Sequence, residues 1–318
     1  EGFVQLKWRK TVPEGCGTYF SSSDFAADGC DRLAFNSAIS DQTGLGAGAF
    51  VKRVEDRQPD DGGQFGLALR NYVSELDTEF GAYYMNYHSR LPLISVKATN
   101  TPVPPAGTPG IPPGLTPGNA LPRALAGGGG SYFVDYAEDI SVFGLSASTN
   151  LGGWSVAGEI SLAQDVPIQL NANDLLASTL AAGVTNPAGP NALDRRVRAL
   201  RPGETLAGFD RFDVTQVQSA FIKTFDRALN SSQVVFVAEV GAVFVNGLPE
   251  VAAGQRYGRN PVFGTARGTE GYVTDFSWGY RLRTQATYRD AFMGIDLIPS
   301  IAWSHDVDGW SPEPGQVF

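Results

Sequence analysis

The side chains best placed to do chemistry in this chain are arginines, and their spacing is regular. In FSWGYRLRTQATYRD (276–290), Arg281, Arg283 and Arg289 share one period-two register with Ser277, Gly279, Gln285 and Thr287. The other register holds Phe276, Trp278, Tyr280, Leu282, Thr284, Ala286 and Tyr288. Arg70, Arg90, Lys7, Arg9, His88, Glu159 and Glu239 fall in the polar registers of comparable stretches. Guanidinium groups facing a wet interior would hold a carboxylate or select anions. The same arginines could instead pair with Glu159, Glu239 and Asp296 to brace a wall, and the sequence leaves both readings open.

Acid–base and nucleophilic chemistry have less to draw on, because His88 and His305 are the two histidines. Ser304, His305 and Asp306 do not make a triad by adjacency, since neighbours in a strand point to opposite faces. His305 shares the register of Trp303, while His88 shares that of Asn86 and Arg90. A lumenal histidine beside Ser or Asp keeps an outer-membrane hydrolase as the least favoured reading. DVDG (306–309) is too short for a calcium loop. No cofactor or metal is implied, and a net charge of −9 argues against nucleic acid.

Alternation of this kind identifies the elements that must carry these residues. Nine segments repeat it: 2–9, 64–74, 79–97, 132–149, 154–170, 213–227, 233–247, 275–289 and 295–309. A period of two over ten to fifteen residues is a strand pattern. Short connections, ELDT (75–78), NLGG (150–153), ALNSS (228–232) and DAFMG (290–294), have hairpin length and turn-forming residues. They alternate strictly with long ones at 10–63, 98–131, 171–212 and 248–274. Four long loops in rotation are foreign to compact soluble domains. Short periplasmic turns and long extracellular loops are the habit of outer-membrane barrels. No apolar run reaches the roughly 18 residues of a spanning helix, so a membrane protein of this composition must cross with strands.

Within the long connections, residues 102–122 hold eight of the 20 prolines. NDLLASTLAAG (173–183) reads as a helix capped by Asn173, and LDRRVRALRPG (193–203) as a second ended by Pro202. Arg195, Arg196, Arg198 and Arg201 in the latter would reach lipopolysaccharide phosphates or sit on a solvated loop. Cys16 and Cys30, 14 apart in a polar stretch, suggest a disulfide and an oxidising compartment; two free thiols are the alternative. No leader segment opens at Glu1, as expected of a mature or trimmed chain.

The alternation is symmetric, so the strand ends must decide which face is which. Trp8, Trp278 and Trp303 lie toward the long loops, and Phe80, Trp154, Phe225, Tyr288 and Phe292 toward the short turns, as two interfacial girdles would. On that reading Val4, Leu6 and Trp8 face lipid, as do Phe65, Leu67 and Leu69, then Tyr83, Met85 and Tyr87, and Val234, Phe236 and Ala238. Lys223 shares the lipid register of Val217, Phe221 and Phe225, which calls for snorkelling or a bulge. Bacterial single-chain barrels close with an even number of strands. Nine therefore suggest a segment of a larger barrel or an assembly of copies, and WSPEPGQVF ends the chain in a loop rather than a strand.

EGFVQLKWRKT, GTYFSSSDFAADG, FGLALRNY, TEFGAYYMNYHSRLPLIS, YAEDISVFGLSAST and AWSHDVDGWSPEPGQVF resemble the bacterial outer-membrane family catalogued as domain of unknown function 1302. The resemblance covers nearly the whole chain. It implies a Gram-negative outer-membrane barrel, comparable with long-chain fatty-acid transporters, with further strands on both sides. No functional residue carries over from it. The expectation is thus a single all-β domain over 1–318, an antiparallel transmembrane barrel segment. Its partners would be the lipid bilayer and lipopolysaccharide, and its function passive uptake of small hydrophobic or carboxylated solutes. A structural or surface-binding barrel is the alternative.

Overall fold

The computed structural model describes residues 1–19, 24–34, 42, 45, 50–98, 130–181, 193, 196, 200, 201, 203–250, 255–259 and 270–312. Its strands begin with β1 (Gly2–Gln5), β2 (Arg32–Ala34), β3 (Phe50–Arg53), β4 (Gln64–Val73) and β5 (Thr78–Tyr87). There follow β6 (Leu93–Lys97), β7 (Ser131–Asp135), β8 (Ile140–Leu151) and β9 (Trp154–Gln169), then helix α1 (Ala172–Ala181). β10 (Thr205–Leu206), β11 (Phe209–Asp226), β12 (Gln233–Asn246), β13 (Phe276–Phe292), β14 (Ile295–Leu297) and β15 (Ser300–Asp308) complete the order.

A large antiparallel sheet runs β1-β4-β5-β8-β9-β11-β12-β13, with β14 and β15 both on the far side of β13. These are ten strands, but β14 and β15 share one position on either side of Pro299, so the sheet has nine positions. β9, β11 and β13 have 16, 18 and 17 residues, about 50–60 Å each at roughly 3.3 Å per residue. The sheet is not closed. β1 pairs only with β4, and β14 and β15 only with β13, so among the described residues an open sheet with two free edges stands where a barrel segment was expected.

The hairpin turns fall where the sequence expects them, for local reasons. Gly152 and Gly153 both adopt positive φ (58° and 78°), the conformation of a two-residue type I′ turn that follows strand twist. Asp77 and Asn230, also at positive φ, are residue types that tolerate it. β11 meets β12 without register shift from Asp213↔Asn246 to Asp226↔Gln233.

Two expected strands each break into two strands of different sheets. Segment 79–97 leaves the large sheet after Tyr87, and 132–149 enters it only at Ile140. Pro92, which has no N–H to give to a ladder, sits in the break. The freed halves, β6 and β7, build a five-stranded sheet of order β10-β6-β7-β3-β2, in which β3 and β7 are parallel and the other pairs antiparallel. The long connections are therefore more than loops, since they supply β2, β3, β10 and α1. The proline-rich run 102–122 lies outside the described residues.

This small sheet, with α1, forms a cap holding the main apolar core. Val51, Ile94, Val96, Tyr132, Val134, Leu170, Leu175 and Leu193 are all buried there. α1 is capped by Asn171 rather than Asn173: its Oδ1 accepts from the Asp174 N–H at 3.1 Å. Of the second expected helix, Leu193 and Arg196 are helical. Trp8 is buried in the cap core, edge-on to Tyr136 at 4.8 Å and donating from its indole to the Ser89 carbonyl. Its expected place in an aromatic girdle is thus corrected, because β1 ends at Gln5 and the chain turns inward before Trp8.

Candidate functional site

Cross-strand register sorts the large sheet into two faces. One is apolar: Leu69↔Ala82, Ala82↔Leu145, Leu145↔Ile160, Ile160↔Val217, Val217↔Ala242, Ala242↔Trp278 run across it in a row. The other is polar, with a row Arg70, Gly81, Ser146, Glu159, Gln218, Gly241, Gly279 and Asp306. The next row includes Ser148, Ala220, Glu239, Arg281 and Ser304. The cap core reaches the polar face at the long-connection end, where Val214, Val243 and Val245 pack against it. The candidate site is this polar face, capped at one end.

β5 takes the opposite phase from the one expected. Phe80, Ala82 and Tyr84 stand on the apolar face, and Tyr83, Met85 and Tyr87 on the polar one. Tyr83 explains why its ring belongs there. Its hydroxyl donates to Glu159 Oε1 at 2.6 Å, two strands away, and the ring crosses β8 at Gly144. A Cβ at 144 would lie 1.9 Å from Tyr83 Cζ, so glycine leaves the space that the ring occupies. Tyr84 in turn packs between Phe65 and Phe143 on the apolar face, at 5.7 and 4.7 Å.

The expected arginine lining is brought together only in part. Arg281 and Arg283 are exposed neighbours on the polar face, Arg281 directly opposite Glu239, and Arg289 follows in the same register toward the turn. Among the described residues no ion pair within 4 Å joins these arginines to Glu159, Glu239 or Asp296. Asp296 is instead engaged by the Asp290 N–H at 2.9 Å. Arg70 shares the face but stands six strand positions from β13, roughly 29 Å along the sheet at about 4.8 Å per position. Lys7 and Arg9 lie beyond the end of β1.

His88 and Arg90 belong to the connection after β5, not to the polar face. His88 is 3% exposed. Its Nδ1 accepts from the Asp139 N–H at 3.0 Å, so Nε2 carries the proton and donates to the Gly62 carbonyl at 2.7 Å. Both ring nitrogens are engaged in holding three chain segments together, and neither is free to move a proton or touch a solute. Arg90 donates to Gln5 Oε1, tying the connection to β1. His305 stands on the apolar face over Tyr280, whereas Ser304 lies opposite Arg281 on the polar face, as alternation requires.

Lys223 stays in the apolar register without a bulge. Its ammonium reaches back to the Gly152 carbonyl at 3.2 Å and lies over the Trp154 and Phe225 rings. The side chain thus keeps its register by bending along the strand toward the turn, with no register shift between β11 and β12.

The cap carries a set of buried and half-buried polar contacts that alternation gives no means of finding. Arg53 pairs with Asp56 at 2.6 Å and donates to the carbonyls of Ala27 and Cys30, closing the Cys16–Cys30 disulfide loop. Arg196 grips Asp210 through both oxygens, at 2.8 and 2.9 Å. Tyr257 donates to the same carboxylate, and burial, reinforced by that bond, pushes its phenol up. Arg256 pairs with Asp174 and lies over Tyr272. Asp135, 1% exposed, accepts from Ser95 at 2.9 Å with Arg57 3.5 Å away, and burial pushes its carboxyl up. Arg196 is thus committed within the cap, while Arg195 and Arg198 lie outside the described residues. Among the described residues no cluster of His, Cys, Asp and Glu could hold a metal ion.

The family model described as a protein of unknown function (DUF1302) matches residues 1–318. No curated protein and no solved structure matches the chain. The chain belongs to the DUF1302 family.

Proposed function

We propose that the large sheet of this DUF1302 protein is part of the wall of an outer-membrane β-barrel, and that the barrel passes small hydrophobic or carboxylated solutes. One observation carries the reading: the apolar face of the sheet is bare. Leu69, Leu145 and Ile301 are 64%, 61% and 75% exposed, and Phe65, Phe143, Trp278 and Trp303 share their face. A contiguous apolar surface across nine strand positions far exceeds the few hundred Å² that a soluble monomer leaves open. Lipid is the solvent that suits it, with short turns at one membrane surface and the capped long connections at the other. The opposite face, rich in Ser, Gln and Arg, then lines water.

Arg281 and Arg283 favour carboxylated solutes, because they are exposed on the polar face and, among the described residues, no carboxylate holds them there. A second reading, a surface-binding barrel, is favoured by the cap, whose separate core is more than a rim of loops. Two experiments divide these. Extraction that requires detergent, with a faster unboiled band on SDS gels, is expected of the barrel. Liposome swelling by organic acids is expected of the channel and absent for the surface binder. Clean solubility in buffer refutes both.

A further inference from the structure

Near the short-turn end of the apolar face, neighbouring strands leave a groove of about 380 Å³, within the range of small-molecule sites at roughly 300–1,000 Å³. Leu151, Trp154, Val156, Phe221, Phe236 and Ala238 line it. Ala238 is the small residue among them, and Trp154 stands edge-on to Phe225 and Phe236 at 6.4 and 6.0 Å, forming one wall. At its mouth is Lys223, whose ammonium lies 5.1 Å from the Trp154 ring and 5.5 Å from Phe225. In the described strands of the large sheet, Arg70, Arg281, Arg283 and Arg289 stand on the polar face; Lys223 keeps the apolar register at the short-turn end, and Arg211, tied to the Glu138 and Asp165 carbonyls, shares it at the capped end.

We propose that this groove with Lys223 is a binding site for one membrane phospholipid: an acyl chain fills the groove and the phosphodiester accepts from the ammonium. The proposal rests on the reading that the apolar face meets lipid. Three features on the molecule select this occupant. The lining is wholly apolar, which suits a hydrocarbon chain and offers nothing to a polar solute. The groove opens sideways on the exposed face, where a chain would arrive within the bilayer. The cation stands at the end of the groove nearest the turns, where a headgroup would lie, and it has donors to spare: an ammonium has three, and the Gly152 carbonyl takes one. Held over two aromatic rings, that ammonium is oriented before a ligand arrives.

The test uses the full chain in detergent, by native mass spectrometry with added palmitoyl-oleoyl phosphatidylglycerol or the matching diacylglycerol. A single adduct that survives delipidating activation with the phospholipid, and not with the diacylglycerol, is the expected result. Lys223→Gln should lower the bound fraction about tenfold, the size of one lost charge-assisted hydrogen bond. Ala238→Trp, which fills the groove, should abolish the adduct, and Leu69→Ala, elsewhere on the face, should keep it. Unboiled gel mobility reports whether each variant is assembled, and the diacylglycerol comparison needs no variant at all. Equal retention of both lipids, or a statistical ladder of adducts indifferent to Lys223→Gln, overturns the site while leaving the membrane reading intact. A protein that needs no detergent overturns both.

Discussion

Replacing Gly144 by alanine tests how the polar face is built. An added Cβ would stand 1.9 Å from Tyr83 Cζ and 2.2 Å from its hydroxyl oxygen, so the ring must lift and its bond to Glu159 must break. A hydrogen bond to a carboxylate contributes about 1.5–3 kcal/mol. Gly144 is not at positive φ, so alanine by itself would stiffen the unfolded chain and stabilise by about 0.4–1 kcal/mol. The two effects have opposite signs and separate in a double-mutant cycle. Gly144→Ala should destabilise the parent protein, yet stabilise it slightly when Tyr83 is already alanine, a coupling of about 1.5–3 kcal/mol because the alanine gain cancels between the two backgrounds. Urea unfolding of refolded protein in vesicles, followed by tryptophan fluorescence, measures all four corners. If Gly144→Ala has the same sign and size in both backgrounds, Tyr83 is not seated by Gly144 and the reasoning fails.

Leu282→Arg should cost about 2–4 kcal/mol and cut refolding yield if position 282 faces hydrocarbon, whereas Arg283→Leu should assemble normally and lower swelling rates for organic acids; equal tolerance of both would refute the face assignment. Reduction of Cys16–Cys30 should lower cap stability by about 3 kcal/mol, as for a loop of this length, read as faster proteolysis of the cap in the presence of reductant. Asp135 has its carboxyl raised above the ordinary 3.8 by burial, so the folded state holds this proton more tightly than the unfolded one. Its contribution therefore turns against folding as pH rises from 3.8 through the folded value, and Asp135→Asn should flatten that dependence in cap unfolding monitored against pH.

Period-two alternation made most of the large sheet legible, because a strand with unlike faces writes them into the sequence. β4, β12 and β13 have the phase their side chains predict, and the four short connections are where turn chemistry puts them. β5 defeats the same reasoning. In TEFGAYYMNY both registers contain aromatic side chains, Phe80 and Tyr84 in one and Tyr83 and Tyr87 in the other, so polarity does not separate them. What decides is Glu159, 76 residues from Tyr83 and invisible to any local pattern. His88 misleads for a related reason: alternation is extrapolated past Tyr87, where the chain has already left the sheet. The cap was illegible as a second core because its strands are short pieces gathered from two long connections and two broken segments.

That gathering has a kinetic side. β3 (Phe50–Arg53) pairs in parallel with β7 (Ser131–Asp135), and the β4–β5 hairpin lies between them in the chain. β6 (Leu93–Lys97) must wait for β10 (Thr205–Leu206), with β8 and β9 between. Ladders closed over such separations are slow, since the entropy of closing the loop is lost before any contact forms. The hairpins of the large sheet, joined by turns of a few residues, carry no such delay. The β3–β7 and β6–β10 ladders of the cap are therefore expected to close after the hairpins β4–β5, β8–β9 and β11–β12, as are the likewise distant β1–β4 and β5–β8 ladders of the large sheet.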